Sequence, residues 1–294
     1  MKVLITGGSG LLGQYLNAEL SKENEILTLY NLHTGNCNKF NSLKIDITEF
    51  EKIKGVIREF KPKIIIHTAA VSTPQLSENL PAKNVYRTNV NATKIIAEEC
   101  ERINSKLIYT STDLVYAGYR GSMLTENSKL IPVSLYAETK LMGETKIQET
   151  FDNYIILRTA LLYGFGLNSS KCHFHEMLKN LTENKSVKLF IDQYRTPLAL
   201  IDAAGIITLL IKPDIKGEII NFGGLERVSR FELGEMLCEI AKLDKNLLIK
   251  ITMDDIPRLP KVEDVSMNTG KLQSYGIKQK SIRESISEIL SAIH

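Results

Sequence analysis

The chain has 294 residues, 43% of them hydrophobic and 24% charged, which is enough apolar material for a large buried core in an ordinary globular protein. A formal charge of +3, carried by scattered Lys and Arg, is too small and too dispersed to argue for nucleic acid or a membrane surface. No apolar run approaches the ~18 residues of a membrane span. Cys37, Cys100, Cys172 and Cys238 form no C-x-x-C pair, so the expectation is a cytoplasmic protein with reduced thiols. Core strand begins with the first residues, leaving no stretch that reads as a targeting peptide.

In chain order, residues 3–5 read as a buried strand and 11–22 as the helix after it, joined by Gly7-Gly8-Ser9-Gly10-Leu11-Leu12-Gly13. A glycine-rich turn serves any tight strand–helix connection. Between a strand and a helix, however, the spacing of Gly7, Gly10 and Gly13 lets backbone N–H groups approach a pyrophosphate, with the positive end of the helix dipole behind them. Strand signals continue at 25–30, 63–67, 106–110 and 153–158, alternating with helical ones at 48–60, 88–104 and 136–150. Regular βα alternation with apolar strands predicts an α/β fold with a doubly wound parallel sheet.

The second strand ends in Tyr30-Asn31-Leu32-His33, without the acid that NAD-selective turns place there and without an arginine for a 2′-phosphate. Nothing in that turn repels NADP, and attraction would rest on Asn31, His33 or Lys39. The segment 106–110 runs into Ser111-Thr112-Asp113, setting hydroxyls at the carboxyl edge of the sheet. Tyr136 and Lys140 are four apart, on one helix face. A neighbouring ammonium favours a phenolate, so the pair suits general acid–base chemistry near neutrality. Beyond residue 162 the pattern loosens, with helices at 198–211, 229–242 and 281–292 and a strand at 217–222. Cys172-His173-Phe174-His175 lacks the further ligands of a metal site, and none is expected.

Gly7-x-x-Gly10-x-x-Gly13, Tyr136-x-x-x-Lys140 and a hydroxyl four residues before Tyr116 together resemble the extended short-chain dehydrogenase/reductases. Within that branch the chain is similar to the dTDP-4-dehydrorhamnose reductases, through Ser111-Thr112-Asp113, Tyr136 to Glu144, Arg158-Thr159, Asp192-Gln193 and Thr196-Pro197. The resemblance runs from residue 1 to about residue 275. It implies a Rossmann-type domain from 1–162 and 197–224, with a smaller mixed α/β substrate lobe from 163–196 and 225–294.

It also implies NADP as cofactor, with NAD as the alternative. The turn Gly7, Ser9, Gly10, Leu11, Leu12 and Gly13 would hold the cofactor together with Tyr30, Asn31, Asp46, Ile47, Ala69 and Ala70. Tyr136 would donate a proton to a substrate carbonyl, Lys140 would serve Tyr136 and the nicotinamide ribose, and Thr112 would bind the same carbonyl. The implied partner is a nucleotide sugar, with a homodimer possible and no role for nucleic acid or membrane.

On the substrate side the family pattern points to Leu161, His173 or Phe174, Arg195 and Lys261, with departures. Leu161 stands where the family has a tryptophan, Tyr194-Arg195 replaces a glycine, and Lys261-Val262 replaces Arg-Pro. The expected activity is reduction of a nucleotide-activated 4-keto-6-deoxy sugar. The alternatives are a sugar-nucleotide epimerase or dehydratase, or a non-catalytic regulatory subunit of the methionine adenosyltransferase type.

Overall fold

The computed structural model describes all residues except 120, 169, 171, 212–214, 257–260 and 293–294. Seven parallel strands form the central sheet: β1 (Lys2–Thr6), β2 (Glu25–Tyr30), β3 (Ser42–Lys44), β4 (Ile64–His67), β5 (Lys106–Thr110), β6 (Tyr154–Thr159) and β7 (Glu218–Phe222). Their order is β7-β6-β5-β4-β1-β2-β3. The chain grows outward from β1 through β2 and β3, then returns to β4 and grows the other way. The reversal lies between β1 and β4, and a crevice opens at the carboxyl ends of strands at such a point.

Alternation along each strand sends side chains to two cores. Val3, Ile5 and Ile66 pack with Leu16, Leu20 and Ile207 from the helices Leu11–Leu20 and Leu200–Leu210. Leu4 and Ile65 pack on the other face with Ile53, Ile96 and Ile147, from the helices Phe50–Phe60, Ala92–Arg102 and Leu135–Thr150. Burial on both faces accounts for apolar runs such as Ile64-Ile65-Ile66. A third core, with Tyr163, Phe174, Leu189, Leu237, Leu248 and Ile286, joins the helices His173–Thr182, Arg230–Ala241 and Ile282–Ser291 to the parallel strand pair Val187–Phe190 and Leu248–Ile251. All four cysteines are buried free thiols. Among the described residues no helix is long and apolar enough to cross a membrane.

Two differences from the sequence reading have local causes. The helix expected over 88–104 is interrupted by a π-turn at Arg87–Asn91. The extra residue turns Asn89 inward, where its side chain accepts from Val71 N at 2.8 Å and donates to Thr139 Oγ1 at 3.0 Å. The three-residue edge strand β3, largely exposed, carries too short a pattern to read in advance.

Candidate active site

A cleft of about 1020 Å³ runs along the carboxyl edge of the sheet, from the glycine turn to the third core. Gly7 has φ +71°, and a Cβ there would stand 2.7 Å from Ala69 N; at Gly13 it would stand 2.2 Å from the Gly7 carbonyl oxygen. Any side chain would therefore pry the turn from the β4 loop or the helix from the turn. Gly10 caps the helix Leu11–Leu20 without a side-chain hydrogen bond, and its first turn holds no acid. The uncapped N–H groups and the positive helix end thus face the cleft, a cradle that fits a phosphate. Ser9, Leu11 and Leu12 line the same stretch.

Tyr30, Asn31, Asp46, Ile47, Ala69 and Ala70 also line the cleft, as does His33, whereas Lys39 does not. Asn31 donates to Asp46 Oδ2 at 3.2 Å, and Asp46 Oδ1 accepts from Thr48 N and Oγ1 at 2.8 Å. The turn after β2 is therefore acid-free in sequence but not in space. Below it, His67 is fully buried, with Thr6 Oγ1 at 2.7 Å from Nδ1 and Thr93 Oγ1 at 3.0 Å from Nε2. Burial, aided by the charge of Lys140, pushes its pKa down to about 3.

Ser134 caps the helix Leu135–Thr150 by accepting from Ala137 N, so the helix opens at the cleft and carries Tyr136 and Lys140 on its first turns. Thr112 ends the segment after β5, lines the cleft with Tyr136, and its hydroxyl pulls the phenol's pKa down. The same hydroxyl lies 3.1 Å from Asp113 Oδ1 and accepts from Leu114 N. Lys140 is 2% exposed, with Nζ 4.0 Å from the centre of the Tyr109 ring. Burial lowers its pKa to about 7, although Glu144 pulls the other way.

The expectation that Lys140 depresses the Tyr136 pKa is not met in the protein alone. Burial raises the Tyr136 pKa more than Thr112 lowers it, and Lys140 is not among the groups that act on it. A phenol so placed keeps its proton at neutral pH. Beneath these residues Ser111 donates to Glu144, which pairs with Arg158 at 2.9 Å; Arg158 in turn donates to the Tyr116 hydroxyl at 3.1 Å, and Tyr116 to Asn221 at 2.6 Å. This buried chain holds the ends of β5, β6 and β7 together and explains why Ser111, Glu144 and Arg158 accompany the cleft residues.

On the opposite wall Leu161, His173 and Arg195 line the cleft as expected from sequence. Phe174 does not; it is buried against Tyr163, with ring centres 5.3 Å apart. Lys261 is also misplaced by the sequence reading: it points to solvent and pairs with Asp254, and only its neighbour Val262 reaches the cleft. The sequence reading missed Arg230 and left Gln193 without a role, and both line this wall. For Arg230 a signal was available: Ser229 and Glu232 form a capping box that sets Arg230 at the first position of a helix. Asp113 is 5% exposed, lies 3.6 Å from Arg195 Nε and has one oxygen without a hydrogen bond; burial raises its pKa against the pull of Arg195.

Residues 1–294 match the protein-family model described as the RmlD substrate binding domain. The chain belongs to the RmlD substrate-binding-domain family. Among its curated relatives, methionine adenosyltransferase 2 subunit beta of Xenopus tropicalis is 29% identical, over 97% of this chain and 87% of the relative. The dTDP-4-dehydrorhamnose reductase of Aggregatibacter actinomycetemcomitans is 28% identical over 98% of each. A solved dTDP-4-dehydrorhamnose reductase from Bacillus anthracis, in complex with NADP, superposes with a TM-score of 0.86 at 24% identity, covering 99% of both chains. The relatives of this chain thus carry the names of both a sugar-nucleotide reductase and the beta subunit of another enzyme.

Proposed function

We propose that the protein is an NADP-dependent reductase of a nucleotide-activated 4-keto-6-deoxy sugar, with Tyr136 as general acid. The observation that carries this reading is that Thr112, Tyr136 and Lys140 line the same cleft as the glycine cradle. NADPH, when bound, supplies the hydride for the carbonyl carbon. The amides of the Gly7–Gly13 turn and the helix behind them hold its diphosphate, and Tyr30, Asn31, Asp46, Ile47, Ala69 and Ala70 hold its adenosine end. Lys140, one helical turn from Tyr136, takes the nicotinamide ribose. Tyr136 keeps its phenolic proton through burial and gives it to the carbonyl oxygen as charge develops there. Thr112 hydrogen-bonds the same oxygen and fixes its angle. Leu161, His173 and Arg195 contact the sugar nucleotide.

We assign residues 1–162 and 197–224 to the cofactor domain and 163–196 and 225–294 to the substrate lobe, a division supported by the separate third core. A cytoplasmic protein is our reading, with a homodimer as the possible assembly. The reductase is tested by offering a panel of nucleotide keto-sugars and following loss of NADPH absorbance; turnover of at least one is expected.

A second reading is a non-catalytic dinucleotide-binding subunit, favoured by the similarity to methionine adenosyltransferase 2 subunit beta. Tight NADPH binding with no turnover across the panel would select it. Slow interconversion of two sugar nucleotides would instead select an epimerase. A dehydratase is less well supplied, since among the described residues the carboxylate hydrogen-bonded to Thr112 is that of Asp113 alone.

A further inference from the structure

The family pattern puts a cation at Lys261 for the charged part of a substrate, and the structure takes that cation away. Lys261 is 63% exposed in its side chain and paired with the carboxylate of Asp254. On the same side of the cleft stands Arg230, partly buried, a lining residue with no hydrogen bond or ion pair to any described residue. Its neighbour Arg195 is already committed. That guanidinium is 6% exposed, donates to Tyr194 O at 2.7 Å and lies 3.6 Å from Asp113. Asp113 acts on both arginines, and Asp264, which also acts on Arg195, is held by Arg227, so three arginines on this wall face two carboxylates. A guanidinium taken out of water without a partner is costly, and its planar fork matches two oxygens of a phosphate or carboxylate.

We infer that Arg230 is the residue that receives the anionic group of the substrate, and that Lys261 is not. The inference rests on the sugar-nucleotide reading above and adds a specificity determinant to it. A ligand oxygen would complete the wall, beside the Asp113 carboxylate that already faces Arg195. A phosphate of the nucleoside diphosphate and a carboxylate on the sugar ring are two sources of the same chemistry, and neutral sugars would be disfavoured. The partial burial of Arg230 and the charge of Arg195, which together hold its pKa below the usual guanidinium value, agree with a site short of one negative charge.

The test is calorimetric binding of dTDP, UDP, inorganic pyrophosphate and glucuronate to the parent protein, Arg230→Gln, Arg230→Lys and Lys261→Gln, with NADPH affinity measured in each. The expected result is that the parent binds a nucleoside diphosphate, Arg230→Gln weakens it tenfold or more, Arg230→Lys restores part of the loss, and Lys261→Gln stays within twofold. NADPH affinity unchanged in Arg230→Gln shows that the variant is folded. Loss of glucuronate binding with the diphosphates unaffected also supports the inference and assigns the anion to the ring. Arg230→Gln binding every anion like the parent, or Lys261→Gln losing as much as Arg230→Gln, overturns it while the reductase reading stands. A parent that binds no nucleoside diphosphate and no glucuronate overturns both.

Discussion

The two walls of the cleft are made differently. The glycine turn is one contiguous stretch whose working parts are backbone N–H groups, and what it asks of the sequence is mostly the absence of side chains at Gly7 and Gly13. The facing wall is made of side chains from separate stretches, Leu161, His173, Gln193, Arg195, Arg230 and Val262. A backbone cradle tolerates little change without losing the turn, whereas a side-chain wall can be rewritten one residue at a time over an unchanged fold. That asymmetry lets an RmlD-family chain retain the glycine turn while the facing wall departs from the family pattern.

The sharpest way to probe the contrast is to remove the group that both walls meet. Tyr136→Phe should cut kcat by about 10²–10⁴-fold, the usual worth of a positioned general acid, and leave the NADPH dissociation constant unchanged. Near-parental kcat on a turned-over keto-sugar would sink the assigned role. Arg158→Met leaves Glu144 buried and unpaired below the strand ends, and should cost about 3–5 kcal/mol in urea unfolding. A loss under about 1 kcal/mol would mean that the network does not brace the site.

Gly13→Ala forces a methyl group against the Gly7 carbonyl and should weaken NADPH about tenfold, near 1.4 kcal/mol, while nucleoside diphosphate binding stays as in the parent. Equal loss of both ligands would show that the walls are not independent. The smallest effect concerns the cofactor: titration should find NADPH bound at least as tightly as NADH. Asp46, hydrogen-bonded to Asn31, is the group to remove if NADH wins by tenfold.

Much of the cofactor side was legible because its information is local. The turn at 7–13, six sheet strands and the Tyr136–Lys140 spacing follow from residues close together in the chain, and β1, β2, β4, β5, β6 and β7 appear near their expected bounds. What escaped depends on contacts far apart in sequence. Asn89 interrupts a regular helical pattern because its partners are at 71 and 139. Lys261 looked like a cleft cation because spacing carries no direction, and only Asp254 shows where it points. The Lys140 effect on Tyr136 assumed two groups in water, whereas burial dominates for both.

His67, clamped between two threonine hydroxyls under the cleft floor, makes the fold's stability depend on acidity. With its native pKa near 3 against an ordinary 6.5, the unfolded chain takes up a proton that the folded one refuses throughout that interval. Proton linkage then makes stability fall as pH drops through that window. The urea midpoint should decline from pH 7 to pH 5 in the parent and decline less in His67→Gln; identical slopes would rule this histidine out as the cause. The acid-sensitive group thus lies where β1 and β4 meet under the cleft, on the pair Thr6 and His67.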